Sequence, residues 1–288
     1  NCPRSFFYKY VLGLSEPENE HMIRGSEVHD VFETYFNNLE EYVSTHSELP
    51  ETPEDILPDS EAVETHWDPF ISNFIQREKG RYAYSNAPKD VVPLAVEGWW
   101  EYQGDVPRGG YVDVILKASS LPTCPYNEGG VLIDFKTGKE PNEDYLDNGI
   151  LLEVEFYRMV VDQTGEFDAD IVQVGGYYPK PDRLYLDDPS ESRENKVENL
   201  ISDTQDVVDG KLDSYPLEEQ PLCRWGPKED ELCSYYEFCQ SEWGSIYDKP
   251  ELQGMVKDII IEGLDAETLV EKYNLVSKRE ALYHIKKI

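Results

Sequence analysis

The stretch that decides the fold is VLIDFKTG, which runs from Val131 to Gly138. A short apolar run bounded by glycines is typical of a buried strand. Side chains two positions apart point to the same face of a strand, so Asp134 and Lys136 share one face and Phe135 points to the other. An isolated Asp-x-Lys pattern is equally compatible with an exposed ion pair, so its neighbours have to decide its meaning.

The neighbouring sequence GYVDVIL, Gly110 to Leu116, is a second strand and carries Asp113. If the two strands pair, Asp113 comes alongside Asp134. Two carboxylates on adjacent apolar strands are costly unless a cation neutralises them. Hard oxygen ligands favour Mg²⁺ or Mn²⁺. The pattern therefore predicts a magnesium or manganese site.

Hydrophobic periodicity around these strands predicts an α/β fold in the order helix, three strands, helix, strand. The segments are a helix at Ile23 to Tyr42, strands at Val91 to Tyr102, Gly110 to Lys117 and Gly130 to Lys136, a helix at Ile150 to Val161 and a strand at Ile171 to Tyr178. The spacing also predicts a largely solvated loop at Glu40 to Ser60 and further helices at Ala62 to Glu78 and Ser190 to Val208.

Two more polar residues belong to this arrangement: His29 on the first helix and Glu97 on the first strand. Taken alone, His29 is more typical of a structural histidine. The chain also shows Gly25 with His29, Gly110 with Asp113, and Asp134 with Lys136, followed by Thr137 and Gly138. This order resembles the RecB-like and CRISPR-associated iron-sulfur exonuclease branch of the PD-(D/E)XK nucleases, whose pattern is G-x-x-x-H, G-x-x-D, (D/E)-x-K.

The resemblance implies phosphodiester hydrolysis by metal-activated water. Asp113, Asp134 and His29 would ligate the ion, with the carbonyl of Phe135 as a fourth ligand, and Lys136 would position or activate the water. The family's Gln-x-x-x-Tyr corresponds here to Glu153 with Tyr157, so the tyrosine matches and the glutamine does not. The implied substrate is DNA, single-stranded or with free ends.

The cysteines carry a second part of the resemblance. Cys2 opens the motif CPRSFFYKY, and Cys223, Cys233 and Cys239 lie close together. In iron-sulfur members of the family, one N-terminal and three C-terminal cysteines hold a 4Fe-4S cluster. This chain departs from the common Cys-x2-Cys spacing because Asp230 stands at the expected position. Four thiolates could equally hold zinc. Cys124 is expected to be structural.

The chain is strongly acidic: 59 acidic residues face 26 basic ones, a net charge of −33. Its hydrophobic and strand content argues against disorder. Molar salt shortens the Debye length to about 3 Å, so a carboxylate-rich surface no longer repels itself, and a halophilic protein is expected. A polyanion should then be bound near the termini and at the metal site.

The last residues predict a small appendage. Asp265 can cap a helix through Tyr273, and Ser277 can cap a second one through Lys287, which gives helix-turn-helix spacing. The basic residues Lys278, Arg279, Lys286 and Lys287 suggest contact with nucleic acid or a partner protein, although a solvated helical face is the alternative. We expect a nuclease domain at residues 1–249, with the cluster cysteines at both ends, and an appendage at 250–288.

Two other functions are compatible with the sequence: a non-catalytic DNA-binding or scaffold protein with a nuclease-like fold, and a DNA-binding regulator whose cluster senses redox state. The presence of Asp113, Asp134 and Lys136 weighs against the first, and a regulator would not need Lys136. No stretch approaches the roughly 18 apolar residues of a membrane span and no signal peptide is visible, so a cytoplasmic protein is expected.

Overall fold

The computed structural model describes Ser5, Lys9 and residues 20–59, 68–208 and 266–273. The chain divides into two compact units. One unit is Glu20–Asn199, which holds the sheet, and the other combines Asn1–Asn19 with Leu200–Ile288.

The described helices and strands follow the predicted order. They are α1 (Glu20–His46), α2 (Phe70–Tyr84), β1 (Ala95–Tyr102), β2 (Arg108–Lys117), β3 (Gly130–Phe135), α3 (Ile150–Thr164), β4 (Ile171–Tyr178), β5 (Arg183–Asp187), α4 (Glu191–Val208) and α5 (Ala266–Tyr273). The prediction of a mixed α/β fold is therefore confirmed.

The five strands form one sheet in the order β1-β2-β3-β4-β5. The first three strands form an antiparallel meander, as predicted. Strand β4 returns parallel to β3 through α3, and β5 pairs antiparallel with β4. A parallel return needs a crossover, and α3 supplies it.

Each face of the sheet carries its own apolar core, because neighbouring residues of β3 point in opposite directions. On one face, Ile133 and Phe135 pack with aromatic residues of α1 and α2, among them Phe32, Phe36 and Phe74. On the other face, Leu132 packs with Ile150 and Val154 of α3. The prediction that Phe135 points away from Asp134 and Lys136 agrees with this packing.

Several predicted boundaries are wrong. Helix α1 continues to His46, and a 3-10 turn at Pro53–Ile56 buries Pro53 and Ile56, so this segment is not simply a solvated loop. The helix predicted at Ala62 to Glu78 lies at Phe70–Tyr84 in the described part. Strand β1 begins only at Ala95, because Pro88–Val91 forms a helical turn.

Strand β5 was missed, because its alternation is short and its residues are only half-buried. Other predictions agree with the structure: Cys124 is buried, and a helix follows Asp265 at Ala266–Tyr273. None of the helices in the described ranges combines the length and the apolar character that a membrane crossing requires. The second tail helix and the four cluster cysteines lie outside the described residues.

Candidate active site

The site opens where β2 and β3 stop pairing. Their ladder reaches Val114 opposite Ile133. One residue further, the side chain of Asp113 replaces the backbone partner, and its Oδ2 accepts a hydrogen bond of 2.5 Å from the N–H of Phe135. Asp113 is buried, with 7% of its surface exposed. The carboxylate is therefore fixed at the end of the ladder by the backbone of the Asp-x-Lys strand itself.

His29 reaches this point from α1. Its Nε2 lies 2.9 Å from the carbonyl oxygen of Phe135. A carbonyl can only accept, so Nε2 carries the hydrogen. The other ring nitrogen, Nδ1, faces Asp113 Oδ1 at 3.5 Å and Glu97 Oε1 at 3.8 Å. The backbone of β3 thus orients the imidazole so that Nδ1 points at two carboxylates, an arrangement typical of metal-ligating histidines.

Glu97 completes this group from β1. Its backbone φ of 42° is in the left-handed region, which is rare for a residue with a side chain. Backbone conformations of this kind persist where surrounding structure enforces them, often at functional sites. One ligand atom each from His29, Glu97 and Asp113 lies within 4.8 Å of the others.

Asp134 and Lys136 lie together, as their spacing predicted. Lys136 Nζ is 2.8 Å from Asp134 Oδ2 and 3.1 Å from Glu153 Oε1 of α3. Asp134 Oδ2 is buried, and apart from this ion pair it makes no hydrogen bond of good geometry. A buried carboxylate oxygen in that situation retains the capacity to bind a cation.

Helix α3 closes the other side of the site with Glu153 and Tyr157. Tyr157 donates a 3.4 Å hydrogen bond to Glu153 Oε1, the oxygen that Lys136 also contacts. Gly110 of β2 allows the tyrosine ring to approach, because a Cβ at this position would lie 2.6 Å from Tyr157 Cε1. The glycine of the G-x-x-D pattern thus makes room for the tyrosine of α3.

Burial and neighbouring charges shift the pKa values of the ionisable side chains in the site. Burial raises the pKa of Asp134, and the nearby Asp113 carboxylate raises it further. Burial opposes protonation of His29, but the carboxylates of Asp113 and Glu97 outweigh it and raise the pKa of the imidazole to about 10. The crowded carboxylates of the site therefore favour protonation of His29 and Asp134.

Neighbouring carboxylates also raise the pKa values of Lys136 and Tyr157. Burial opposes the charge of Lys136, but Asp134 and Glu153 prevail and hold the pKa of its ammonium above the usual range. Burial and then Glu153 raise the pKa of Tyr157. Both groups are therefore hydrogen-bond donors at neutral pH.

The donor set fits a divalent cation. It offers carboxylate oxygens and one imidazole nitrogen, and Asp134 Oδ2 is buried without a well-aligned hydrogen bond. Oxygen-rich sites of this kind suit Mg²⁺ and Mn²⁺. Such a cation would replace the protons that hold the carboxylates together.

Comparison with protein families agrees with this fold. The family model of the PD-(D/E)XK nuclease superfamily matches residues 1–240. The chain belongs to the PD-(D/E)XK nuclease superfamily, whose members are mostly phosphodiester hydrolases that use divalent metals such as Mg²⁺ or Mn²⁺. A search among curated proteins finds no match to the chain.

The structure brings together His29, Asp113, Asp134, Phe135, Lys136, Glu153 and Tyr157. The predicted ligand set did not include Glu97, although the structure places it beside His29 and Asp113. A carboxylate on an apolar strand, AVEGWW, was the available signal. The carbonyl of Phe135, predicted as a ligand, accepts the hydrogen bond from His29 in this structure.

Proposed function

We propose that this protein is a metal-dependent deoxyribonuclease that hydrolyses phosphodiester bonds with Mg²⁺ or Mn²⁺. The observation that carries the proposal is the grouping of His29, Glu97 and Asp113 within 4.8 Å of one another, next to the Asp134 and Lys136 pair. Binding residues for a cation and a fixed positive charge thus lie side by side at the end of one ladder.

In this proposal His29, Asp113 and Asp134 hold the metal, with Glu97 as a further ligand. When bound there, a divalent metal would supply a lowered pKa of its bound water and positive charge to stabilise the phosphate. Asp113 is kept in place by the Phe135 N–H, and His29 by the Phe135 carbonyl. The short segment at Phe135 therefore positions ligands from two other elements.

Lys136 supplies a fixed ammonium beside the reacting phosphate. Its raised pKa keeps it protonated, so it donates a hydrogen bond to the attacking water and balances negative charge. It does not remove the proton from the water. Glu153 positions Lys136 through the 3.1 Å contact, and Tyr157 steadies Glu153 from the next helical turn.

The test is a gel assay on end-labelled single-stranded and double-stranded DNA, with Mg²⁺ or Mn²⁺ in high salt. Wild-type protein should cut, and Lys136→Ala should not cut although a thermal melt shows that it is folded. Lys196→Ala, an exposed lysine on α4, is the matched control and should cut normally. Intact DNA in every wild-type reaction would favour the alternative of a non-catalytic DNA-binding protein.

We further propose exonuclease action on single strands or free ends, in the RecB-like and CRISPR-associated branch that serves repair, recombination or CRISPR adaptation. The support is the motif order together with the cysteine pattern. Labelling either end of the same strand would reveal the polarity. Cutting of closed circular DNA at the rate of linear DNA would contradict an exonuclease.

For the cysteines, we propose a 4Fe-4S cluster on Cys2, Cys223, Cys233 and Cys239. The support is their match to the N-terminal and C-terminal cysteine motifs of the iron-sulfur branch. Anaerobically purified protein should be brown and contain iron and sulfide. Stoichiometric zinc without iron would support a four-thiolate zinc centre instead.

Two surface properties complete the proposal. The net charge of −33 supports a halophilic protein, whose melting temperature should rise with KCl toward molar concentrations. A flat or falling melting temperature would contradict this. The basic residues Lys278, Arg279, Lys286 and Lys287 support nucleic-acid or partner binding by the appendage, and deletion of residues 265–288 should weaken that binding without removing metal-dependent cutting.

A further inference from the structure

Three features share one end of the sheet. Strand β2 runs antiparallel to β1 and β3, and β4 runs parallel to β3. The carboxyl ends of β1, β3 and β4 therefore lie at the same end as the start of β2. In sheet order, this end carries an aromatic pair on β1 and β2, the carboxylates of β2 and β3, and a cleft beyond β3 and β4.

The aromatic pair consists of Trp99 and Tyr111. They are direct partners across the ladder, their ring centroids are 5.0 Å apart, and they are 53% and 61% exposed. Trp99 lies two residues after Glu97, and Tyr111 lies two residues before Asp113. Two large exposed rings on the strands of the site form a surface on which unpaired bases can stack.

The surroundings of the aromatic pair favour bases over phosphates. Trp99 Nε1 donates to the carboxylate of Glu101 at 3.4 Å. A carboxylate at this position repels a phosphate, whereas the ring faces attract a base without needing opposite charge. Stacking also resists the high salt that weakens contacts between phosphates and cations.

The cleft has the opposite character. It has a volume of about 530 Å³, and Arg24, Lys139, Lys180 and His21 line it, against one carboxylate, Glu140. Arg24 is held at the cleft by a 3.2 Å hydrogen bond to the carbonyl of Thr137, the residue after Lys136. In a chain with a net charge of −33, this grouping of cations is a local reversal of sign.

We propose that an unpaired end of a nucleic-acid strand lies along this end of the sheet. Its bases stack on Trp99 and Tyr111, and its phosphates beyond the scissile bond enter the cleft of Arg24, Lys139 and Lys180. The proposal rests on the proposed nuclease function and assigns its substrate as single-stranded, because bases inside a duplex are already stacked and cannot cover these rings. Since molar salt shortens the Debye length to about 3 Å, the cations of the cleft have to contact phosphate directly.

The test measures binding apart from cutting. A labelled single strand and a duplex are titrated with the full-length protein by fluorescence anisotropy, with Ca²⁺ in place of Mg²⁺, and a gel verifies that the DNA stays intact. Trp99→Ala and Tyr111→Ala should each weaken single-strand binding by about tenfold, because each removes the ring on which one base stacks. Duplex binding should not change. Tyr84→Ala, an exposed tyrosine at the end of α2, is the control and should bind like the wild type.

The cleft is tested through salt. Lys139→Gln and Lys180→Gln should each make the dependence of log affinity on log salt shallower by about 0.7, the value for one phosphate contact on a single strand. Lys196→Gln is the control. Strands with and without a 5′-phosphate separate the two sources of phosphate: equal losses identify the backbone, and a loss confined to the phosphorylated strand identifies the terminal phosphate. Either loss supports the cleft as a phosphate site.

The proposal is overturned if the aromatic variants bind single strands as tightly as wild type, if they lose duplex binding equally, or if the salt slope of the lysine variants is unchanged. Melting temperatures confirm that each variant is folded. Failure of the nuclease proposal looks different: wild-type protein would not cut, while Trp99→Ala would still weaken single-strand binding.

Discussion

Two buried groups of charged side chains lie on opposite sides of α3, and their carboxylates are neutralised in different ways. The active-site cluster consists of His29, Glu97, Asp113, Asp134 and Lys136, and Glu153 faces it from α3. The Glu155 network lies on the other side of the helix, because positions two apart on a helix point in nearly opposite directions. The charges of the Glu155 network stabilise the fold, whereas those of the active-site cluster favour the binding of a cation.

The fully buried carboxylate of the Glu155 network is neutralised by two guanidinium groups. Glu155 is fully buried, its Oε1 accepts from Arg158 Nε at 2.7 Å, and its Oε2 accepts from Arg193 Nε at 2.9 Å. Arg193 in turn contacts Asp147 and Asp187. Every charge in this network has a partner, and the network joins α3 to α4 and β5.

The active-site cluster is not neutralised in this way. Three carboxylates share one ammonium and one imidazole, and the proximity of Asp113 raises the pKa of Asp134. Crowded carboxylates destabilise the metal-free protein, and the same crowding favours a divalent cation. The contrast predicts different outcomes for the loss of one carboxylate from each group.

The largest effect is expected for Asp113→Asn. Cleavage should fall on the order of a thousandfold, because a bound metal contributes several kcal/mol of transition-state stabilisation. The melting temperature without metal should change little, since the substitution removes both the repulsion of Asp134 and the attraction of protonated His29. Initial rates with Mn²⁺ and thermal melts in EDTA measure both. If the variant cuts at the wild-type rate, Asp113 is not a residue of the active site.

Glu155→Gln should have the opposite profile. The substitution removes the buried carboxylate that Arg158 and Arg193 share, and breaking a buried ion pair costs about 3 kcal/mol of unfolding free energy. The rate per folded molecule should stay near that of wild type. Urea denaturation measures the loss, and Glu198→Gln is the control. This half-exposed partner of Arg108 should change stability by less than about 1 kcal/mol.

The sequence predicted the active-site cluster better than the Glu155 network. Asp113, Asp134 and Lys136 are recognisable because ionised side chains interrupt apolar strands at fixed spacing. Glu155 and Arg193 lie on helices that also carry exposed acidic residues, and nothing in the sequence separates a buried carboxylate from a solvated one. Glu155 and Arg193 are 38 residues apart in the sequence, so only the packing of α4 against α3 reveals their contact.

Glu97 could be predicted from the sequence only in part. Its strand was predicted, but its inclusion among the ligands depends on a φ of 42° and on the register of β1 with β2, which periodicity does not specify. The same holds for Trp99 and Tyr111: alternation predicted the strands, and only the register showed that the two rings are direct partners.

The smallest effect is the change in stability per pH unit that His29 causes. His29 has an ordinary pKa of 6.5, raised to about 10 in the folded protein. Its contribution to metal-free stability is therefore complete below the ordinary value and is lost as the pH rises through the folded value. The slope is at most about 1.4 kcal/mol per pH unit for one proton. Denaturation between these pH values should show the decline in wild type and in His46→Gln, an exposed histidine at the end of α1. His29→Gln should lack it, and an unchanged decline in that variant would assign the titration elsewhere.

The central claim is that the active-site cluster is a divalent-metal site and the Glu155 network is not. Titration with Mn²⁺ followed by electron paramagnetic resonance tests it most directly, in wild type, Asp113→Asn and Glu155→Gln. Wild type and Glu155→Gln should bind Mn²⁺ with the same stoichiometry and similar affinity, and Asp113→Asn should bind it at least about tenfold more weakly. Equal binding by wild type and Asp113→Asn, or no binding by wild type, would contradict the account.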